Sequence, residues 1–221
     1  MGTRVRLQAI FNMVKAPCIA ADIGCDHGLL PIALVKQGKC TKAYACDVRE
    51  GPLSRAKQAI EEAGLQDRVI PVLSDGLAGL ADDVDCVIIA GMGFDTIVHI
   101  LSSHEEKTIL LKQIIVQCNG HIEDFRYWLN QHGYTIDAEC IVEDHHDYQL
   151  ISMHKKQCAP YTKEQCLFGI YMQQDPLFSS YWSKILQKKK EILKNLSIEH
   201  EAYQTTKDTI IMIEKQLERL E

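Results

Sequence analysis

The sequence predicts an α/β fold, in which helices flank a mostly parallel sheet and a helical segment follows. Short β-rich runs alternate with helical stretches along the N-terminal part of the chain, which is typical of parallel strands joined by crossover helices. The last two β-rich runs are separated only by the polar turn 143–147, so we expect an antiparallel hairpin at the sheet edge. The alternation stops at 155–160, and the remaining sequence has helical periodicity.

The pattern places an opening helix over 3–15 and two domains over 1–156 and 157–221. Strands are predicted at 18–23, 42–47, 68–73, 84–90, 112–117, 134–143 and 147–154, and further helices at 28–38, 51–64, 93–102 and 121–132. Apolar residues from Trp182 to Leu220 follow a heptad register, which indicates a coiled-coil segment. Its polar stretch predicts two antiparallel helices joined near 197–201, and a dimeric coiled coil is the competing arrangement.

Composition excludes several classes of protein. The chain has 221 residues, 46% of them hydrophobic, yet it contains no run long enough for a membrane span or a signal peptide. We therefore expect a cytoplasmic protein without a membrane partner. The nine cysteines include no C-x-x-C pair, which favours reduced thiols, and the adjacent His145 and His146 would point apart, so no metal is expected.

A glycine turn follows the first predicted strand, in the segment Asp22-Ile-Gly-Cys-Asp-His-Gly28. Glycines at 24 and 28 allow a tight turn that a ligand can approach closely. Carboxylates at 22 and 26 would repel a pyrophosphate, which disfavours a nicotinamide dinucleotide. They suit a ligand with an ammonium and a sulfonium group, as in S-adenosylmethionine.

Two further acids, Asp47 and Asp75, end the second and third predicted strands. Asp47 lies where a ribose-binding acid is expected beyond a glycine turn. Each acid alone fits a helix cap or a turn residue equally well. Because parallel strands share one crevice at their carboxyl ends, the three strand ends together favour a single ligand site.

The fourth and fifth predicted strands end in small or polar residues. The fourth ends in Ala90-Gly-Met-Gly93, which leaves room for a substrate. The fifth ends in Gln117-Cys-Asn119, whose amides suit a planar base. Asn119 equally fits a turn former before Gly120.

These motifs resemble the TrmK-type bacterial tRNA (adenine-N1)-methyltransferases, which modify adenine 22 of tRNA. The resemblance rests on the Asp-His-Gly of the turn, on Asp47 with Glu50-Gly-Pro-Leu53, on Asp75-Gly-Leu77 and on Ala90-Gly-Met-Gly93. The chain departs from the family pattern at Leu29, Phe94 and Cys118, where Tyr, Gly and Pro are usual. The resemblance implies a class I Rossmann-like sheet and in-line methyl transfer from S-adenosylmethionine to N1 of adenine.

The site residues expected from the pattern and the resemblance fall into three groups. Those for the cofactor are Asp22, Gly24, Cys25, Asp26, Gly28, Asp47, Val48, Asp75, Gly76, Gly91, Met92 and Gly93. Those for catalysis are Asp26, His27 and Asn119. Those for tRNA phosphates are Arg4, Arg6, Lys188, Lys189, Lys190 and Lys194. The lysines equally fit a solvated helix face, and His27 equally fits a cap of the following helix.

Two other functions remain open from the sequence. One is a methyltransferase of a small molecule or a protein, with a dimerising coiled coil. The other is a cofactor-binding interaction module without catalytic activity. For the tRNA enzyme we expect tRNA as partner and a monomer or weak dimer.

Overall fold

The computed structural model describes residues 2–144 and 146–220, which form two compact units. The first unit ends at Ile170 and the second begins at Tyr171. In the first, the helices are α1 Gly2–Met13, α2 Leu29–Lys36, α3 Glu50–Glu62, α4 Phe94–Ser103, α5 Glu105–Thr108, α6 Ile122–Gln131 and α7 Lys163–Phe168. The strands are β1 Cys18–Ile23, β2 Cys40–Asp47, β3 Val69–Leu73, β4 Cys86–Met92, β5 Gln113–Cys118, β6 Tyr134–Glu143 and β7 Asp147–Lys155.

The seven strands form one sheet in the order β3-β2-β1-β4-β5-β7-β6. Strands β1 to β5 pair in parallel, and β7 is antiparallel to both β5 and β6. The predicted Rossmann-like sheet with an antiparallel edge hairpin is therefore confirmed. The strand order changes direction between β1 and β4, and in sheets of this kind a ligand binds in the crevice beyond the carboxyl ends at such a point.

Apolar side chains cover both faces of the sheet. On one face Ile10 of α1, Leu34 of α2 and Ile60 of α3 are buried against alternate strand residues such as Ala20 and Ile88. The opposite face is covered mainly by α4 and α6, including Ile97, Leu101, Phe125 and Leu129. Burial on both faces explains why the central strands have almost continuous apolar sequences.

A buried ion pair extends the first unit past the predicted boundary at 156/157. The Arg126 Nε of α6 lies 2.7 Å from the Glu139 Oε1 of β6, and both side chains are inaccessible to solvent. Arg126 Nη1 also donates to the carbonyl of Cys166, at 3.0 Å, and Glu139 Oε2 accepts from the Ile170 amide, at 2.6 Å. These contacts hold α7 against α6 and β6, so the first compact unit reaches Ile170.

The second unit contains a short 3₁₀ turn, Met172–Gln174, and two long helices, α8 Phe178–Asn195 and α9 Ala202–Glu218. The helices pack on each other, and Lys190 Nζ of α8 lies 2.6 Å from Glu214 Oε1 of α9. The helical segment is thus two helices joined by 196–201 rather than one rod. Its coiled-coil character stays a prediction. Within 2–144 and 146–220, no helix has the length and apolar character needed to cross a membrane.

Candidate active site

Hydrogen bonds connect the glycine turn after β1 to the end of β2. The amides of Gly24 and Cys25 both donate to the Cys46 carbonyl, at 2.8 and 3.0 Å. Gly24 has a φ of +78°, and a Cβ there would lie 2.5 Å from the Met92 methyl group. The turn therefore requires glycine at 24 and leaves its backbone open toward the crevice.

A main cleft of about 370 Å³ lies at the carboxyl ends of β1 to β4. Its volume falls in the range usual for small-molecule sites. Eight residues predicted for the cofactor line it: Gly24, Asp26, Asp47, Val48, Asp75, Gly76, Gly91 and Met92. The structure thus brings together the acidic ends of β2 and β3, the glycine turn and the last residues of β4.

The two strand-end acids differ in their surroundings. Asp47 is buried, and its Oδ1 accepts a hydrogen bond from the Arg49 amide at 2.9 Å, which orients the carboxylate. Asp75 is exposed. A buried, oriented carboxylate suits bonding to a pair of hydroxyls, whereas the exposed one lies at the rim of the cleft.

A small pocket of about 110 Å³ adjoins the main cleft and shares Gly24, Asp26 and Ala90 with it. Its remaining lining residues are Arg6, Leu7, Asp22, Cys25, His27, Leu29 and Leu30. Four of the predicted cofactor residues, Asp22, Gly24, Cys25 and Asp26, therefore lie around it. The pocket is too small for a nucleoside but suits a compact charged group.

Burial controls the chemistry of Asp22 and Cys25. Burial raises the pKa of the Asp22 carboxyl from its ordinary value of 3.8 to about 7; the Arg6 charge opposes this shift and Asp47 adds to it. Burial also raises the pKa of the Cys25 thiol, with Asp22 adding to the effect. Cys25 is thus a neutral packing residue, while Asp22 stands ready to bind a cation that replaces its lost solvation.

Asp26 and His27 lie next to each other at the pocket opening. Asp26 adopts a left-handed φ of +47°. Its carboxylate accepts from Arg55 Nη2 at 2.8 Å and lies 3.4 Å from His27 Nε2. About half of each side chain is exposed, so both can reach a substrate that approaches from solvent.

Gln117 is fully buried and makes internal contacts on both ends of its amide. Its Oε1 accepts from the Gly91 amide at 3.0 Å and from Arg6 Nη1 at 3.2 Å. Its Nε2 donates to Asn119 Oδ1 at 2.8 Å. Gln117 therefore links β5 to α1 and to the end of β4, and its amide is occupied by these internal contacts.

Three of the residues predicted for the cofactor or for catalysis lie outside the lining of both cavities: Gly28, Gly93 and Asn119. Gly28 is the N-cap residue of α2, with a φ of +66° and a close approach to Ala56, which gives glycine a structural role at this position. Gly93 precedes α4. Asn119 is exposed, and its amide donates to the Met92 carbonyl at 2.8 Å, which supports its interpretation as a turn residue.

The predicted tRNA-binding residues divide between the two units. Arg6 lines the small pocket, and the side chain of Arg4 lies outside the described part of the structure. On α8, Lys188, Lys190 and Lys194 are exposed and Lys189 is half-buried. Lys190 pairs with Glu214, which lowers the free positive charge of this face.

Other predicted features concern metal and thiols. Within the described residues no group of three or more His, Cys, Asp or Glu side chains could hold a metal ion, and His145 lies outside those residues. All nine cysteines are free thiols.

The sequence did not reveal several residues of the crevice. The main cleft is also lined by Arg49, Ser74, Thr96, His99 and Ile100. Thr96, His99 and Ile100 belong to α4, whose position over the strand ends depends on packing of Ile97 and Leu101. No linear motif marks such residues, because only the tertiary fold brings them to the site.

The fold, the glycine turn and the strand-end acids define a methyltransferase of the Rossmann-like class. The family model described as a methyltransferase domain matches residues 3–151, so the chain belongs to that family. A curated relative, the tRNA (adenine(22)-N(1))-methyltransferase of Bacillus subtilis strain 168, is 34% identical over 140 residues. The match covers 63% of this chain and 59% of the relative, so the chain spans less than two thirds of that protein's length.

Solved structures extend the similarity to almost the whole chain. One, a putative tRNA (m1A22) methyltransferase of Streptococcus pneumoniae, has a TM-score of 0.90 and 32% identity, and covers 96% of this chain and 98% of its own. The same Streptococcus pneumoniae protein in complex with S-adenosyl-L-methionine has a TM-score of 0.87 and 31% identity, with the same coverage. The resemblance to the TrmK-type enzymes is therefore confirmed.

Proposed function

We propose that this protein transfers the methyl group of S-adenosylmethionine to N1 of adenine 22 in tRNA. The observation that carries the proposal is the crevice itself, where Asp22, Asp47 and Asp75 converge at the carboxyl ends of three strands. The substrate is drawn from relatives whose names specify tRNA adenine 22.

The residues of the crevice match the parts of S-adenosylmethionine. Asp47 suits the ribose hydroxyls, and Asp75 with Gly76 suits the adenine at the rim of the main cleft. Asp22 suits the ammonium of the methionine part, because it is a buried carboxylate beside a pocket of about 110 Å³. The cofactor supplies an electrophilic methyl group on a sulfonium.

The protein's own contribution to the reaction is positioning. Neutral adenine already has a lone pair on N1, so the site must align the base and exclude water rather than supply a strong base. After methylation the adenine is cationic until N6 loses a proton. Asp26 and His27, half-exposed at the opening of the small pocket, are positioned to stabilise this charge and accept that proton.

Asn119 has a smaller part in this proposal. Its side-chain oxygen accepts a hydrogen bond from Gln117, and its backbone amide donates to the carbonyl of Met92, the last residue of β4. We therefore assign it to positioning of the Gly91 to Gly93 segment. This assignment is tested by an Asn119→Ala variant, which removes the side-chain contact to Gln117 and should lower both the rate and the cofactor affinity, because Gly91 and Met92 line the main cleft.

The C-terminal helices supply candidate phosphate contacts. Lys188, Lys190 and Lys194 are exposed on α8, and tRNA is a polyanion whose binding depends on such charges. Adenine 22 must be exposed from stacked RNA before its N1 can react. The lysines are proposed to hold the RNA while this happens.

The experiment that tests the proposal is a methyl-transfer assay with the full chain. Purified protein is incubated with labelled S-adenosylmethionine and unmodified bacterial tRNA, and the nucleosides are separated by mass spectrometry. We expect the parent protein to form 1-methyladenosine. The Asp47→Asn variant should form it at a rate at least tenfold lower, because its affinity for the cofactor is weaker. Label on protein or small molecules but not on tRNA would contradict the proposed substrate.

A further inference from the structure

Arg6 lies at the candidate active site although it belongs to α1, which precedes both β1 and the glycine turn in the chain. Its side chain extends from α1 into the lining of the small pocket. The guanidinium lies 5.4 Å from the centre of the Tyr148 ring, and Nη1 donates to the buried Gln117. The Nε atom is buried and has no hydrogen-bond partner among the described residues. The guanidinium is thus held in place by the protein while part of its donor capacity is unused.

Asp22 and Arg6 line the same pocket without forming an ion pair. Both side chains line the small pocket, and the positive charge of Arg6 opposes the rise in the pKa of the Asp22 carboxyl. Yet their nitrogen and oxygen atoms do not approach within 4.0 Å in the described structure. A pocket with a cation on one wall and a carboxylate on another fits a ligand group that carries both charges.

The sizes of the two cavities support a division of the ligand. The main cleft, at about 370 Å³, has room for a nucleoside, whereas the small pocket has about 110 Å³. They share Gly24, Asp26 and Ala90, so one ligand can extend from one into the other. The small pocket then holds the compact zwitterionic end of that ligand.

We propose that Arg6 binds the α-carboxylate of the methionine part of S-adenosylmethionine, with Asp22 binding the α-ammonium. Gln117 positions the Arg6 side chain, since its Oε1 accepts hydrogen bonds from both Arg6 Nη1 and the Gly91 amide. Arg6 therefore belongs to the cofactor site rather than to the tRNA surface. This inference rests on the proposed function for the identity of the ligand.

The test uses two ligands that differ only at the methionine end. S-adenosylhomocysteine carries the zwitterion, and 5′-methylthioadenosine lacks it. Their dissociation constants are measured by titration calorimetry on the full-length parent, on Arg6→Gln and on Arg68→Gln. Arg68 is an exposed arginine outside both cavities. Its substitution therefore removes the same charge as Arg6→Gln without changing the pocket.

Arg6→Gln should weaken S-adenosylhomocysteine binding roughly 10- to 100-fold, the range expected for a lost hydrogen bond to a charged group. The affinity for 5′-methylthioadenosine should stay within about twofold, and Arg68→Gln should match the parent for both ligands. Equal weakening of both ligands, or of neither, would overturn the inference. If Arg6→Gln does not fold, as judged by thermal unfolding, Arg6→Lys keeps the charge and should give a smaller but still selective loss.

Two further outcomes separate this inference from its alternatives. If Arg6 binds a tRNA phosphate instead, Arg6→Gln should weaken tRNA binding and lower its salt dependence. That result, together with an unchanged affinity for S-adenosylhomocysteine, would contradict the inference. Selective ligand loss in a protein that methylates no tRNA would support the cofactor contact and overturn only the substrate. A parent protein that binds no S-adenosylhomocysteine would overturn both.

Discussion

Asp22 is a buried acid whose charged form is costly in the free protein but is suited to binding a cationic ligand group. It is 8% exposed, and burial raises its pKa to about 7. A carboxylate in that position is costly in the free protein, and a ligand cation would recover the cost. The site thus holds an acid that lowers the stability of the empty fold so that it can bind a positive group strongly.

The raised pKa of Asp22 predicts how stability changes with pH. The folded protein holds the Asp22 proton more tightly than the unfolded chain, so this contribution is present below pH 3.8 and is lost as pH rises to about 7. Asp22→Asn should therefore match the parent near pH 4 and exceed its free energy of unfolding by a few kcal/mol at pH 8. Urea denaturation at the two pH values measures the difference.

The control for this prediction is Asp67→Asn, which removes an exposed carboxyl outside both cavities. It should follow the parent at both pH values. An Asp22→Asn variant that gains no stability between pH 4 and pH 8 relative to the parent would refute the buried, proton-holding state of Asp22.

The start of α2 is the element that sets the shape of the glycine turn. Gly28, the N-cap residue of the helix, has a φ of +66°, and a Cβ there would lie 3.2 Å from the Ala56 Cβ of α3. Gly38, beyond the other end of α2, has a similar φ of +74° but nothing within 4 Å of such a Cβ. The helix therefore packs tightly at the ligand end and loosely at the far end.

This contrast predicts different effects for two matched substitutions. Gly38→Ala should cost about 1 kcal/mol from the left-handed backbone alone. Gly28→Ala should cost about 1 kcal/mol more, because α2 and α3 must separate, and it should also weaken S-adenosylhomocysteine binding. Denaturant unfolding and calorimetry check both effects. Equal stability losses, with ligand affinity unchanged in both variants, would be inconsistent with the close packing.

The buried pair between Arg126 and Glu139 predicts the largest stability effect in the first unit. Arg126→Met leaves the Glu139 carboxylate buried without its cation and frees α7 from its carbonyl contacts. We expect a loss of about 3–5 kcal/mol in the free energy of unfolding. Arg126→Met combined with Glu139→Gln should recover part of it. A loss below about 1 kcal/mol for the single variant would show that the pair does not hold the elements together.

At the scale of the whole molecule, the sequence predicted the strands well because each is a β-rich run bounded by turn residues. Helix α5 was not predicted, since four residues are too few to establish a helical period, and α7 lies within the segment predicted as helical but was given no bounds of its own. The break near Pro160 suggested a boundary at 156/157, but the contacts of Arg126 reach across it. The tRNA role of Arg6 stays a prediction, and nothing local in the sequence indicates that α1 brings Arg6 to the pocket that Asp22 also lines.

The second unit carries a prediction about tRNA affinity. Lys188→Glu with Lys194→Glu should weaken tRNA binding and reduce the slope of log affinity against log salt by about 1–2, as expected for two lost phosphate contacts. S-adenosylhomocysteine affinity should not change. Lys36→Glu with Lys57→Glu makes the same charge change at exposed positions in the first unit and should have a smaller effect. Filter binding across a salt series measures both pairs, and equal effects would remove α8 as a specific tRNA surface.

The most direct test of the central claim is the position of the methyl group on tRNA. Two unmodified transcripts, one with adenine and one with guanine at position 22, are incubated with the protein and S-adenosylmethionine. N1 methylation blocks pairing, so primer extension marks the modified base. We predict a stop at position 22 only in the adenine transcript, with 1-methyladenosine as the product. Equal methylation of the two transcripts, or none of either by a protein that binds S-adenosylmethionine, would contradict the account.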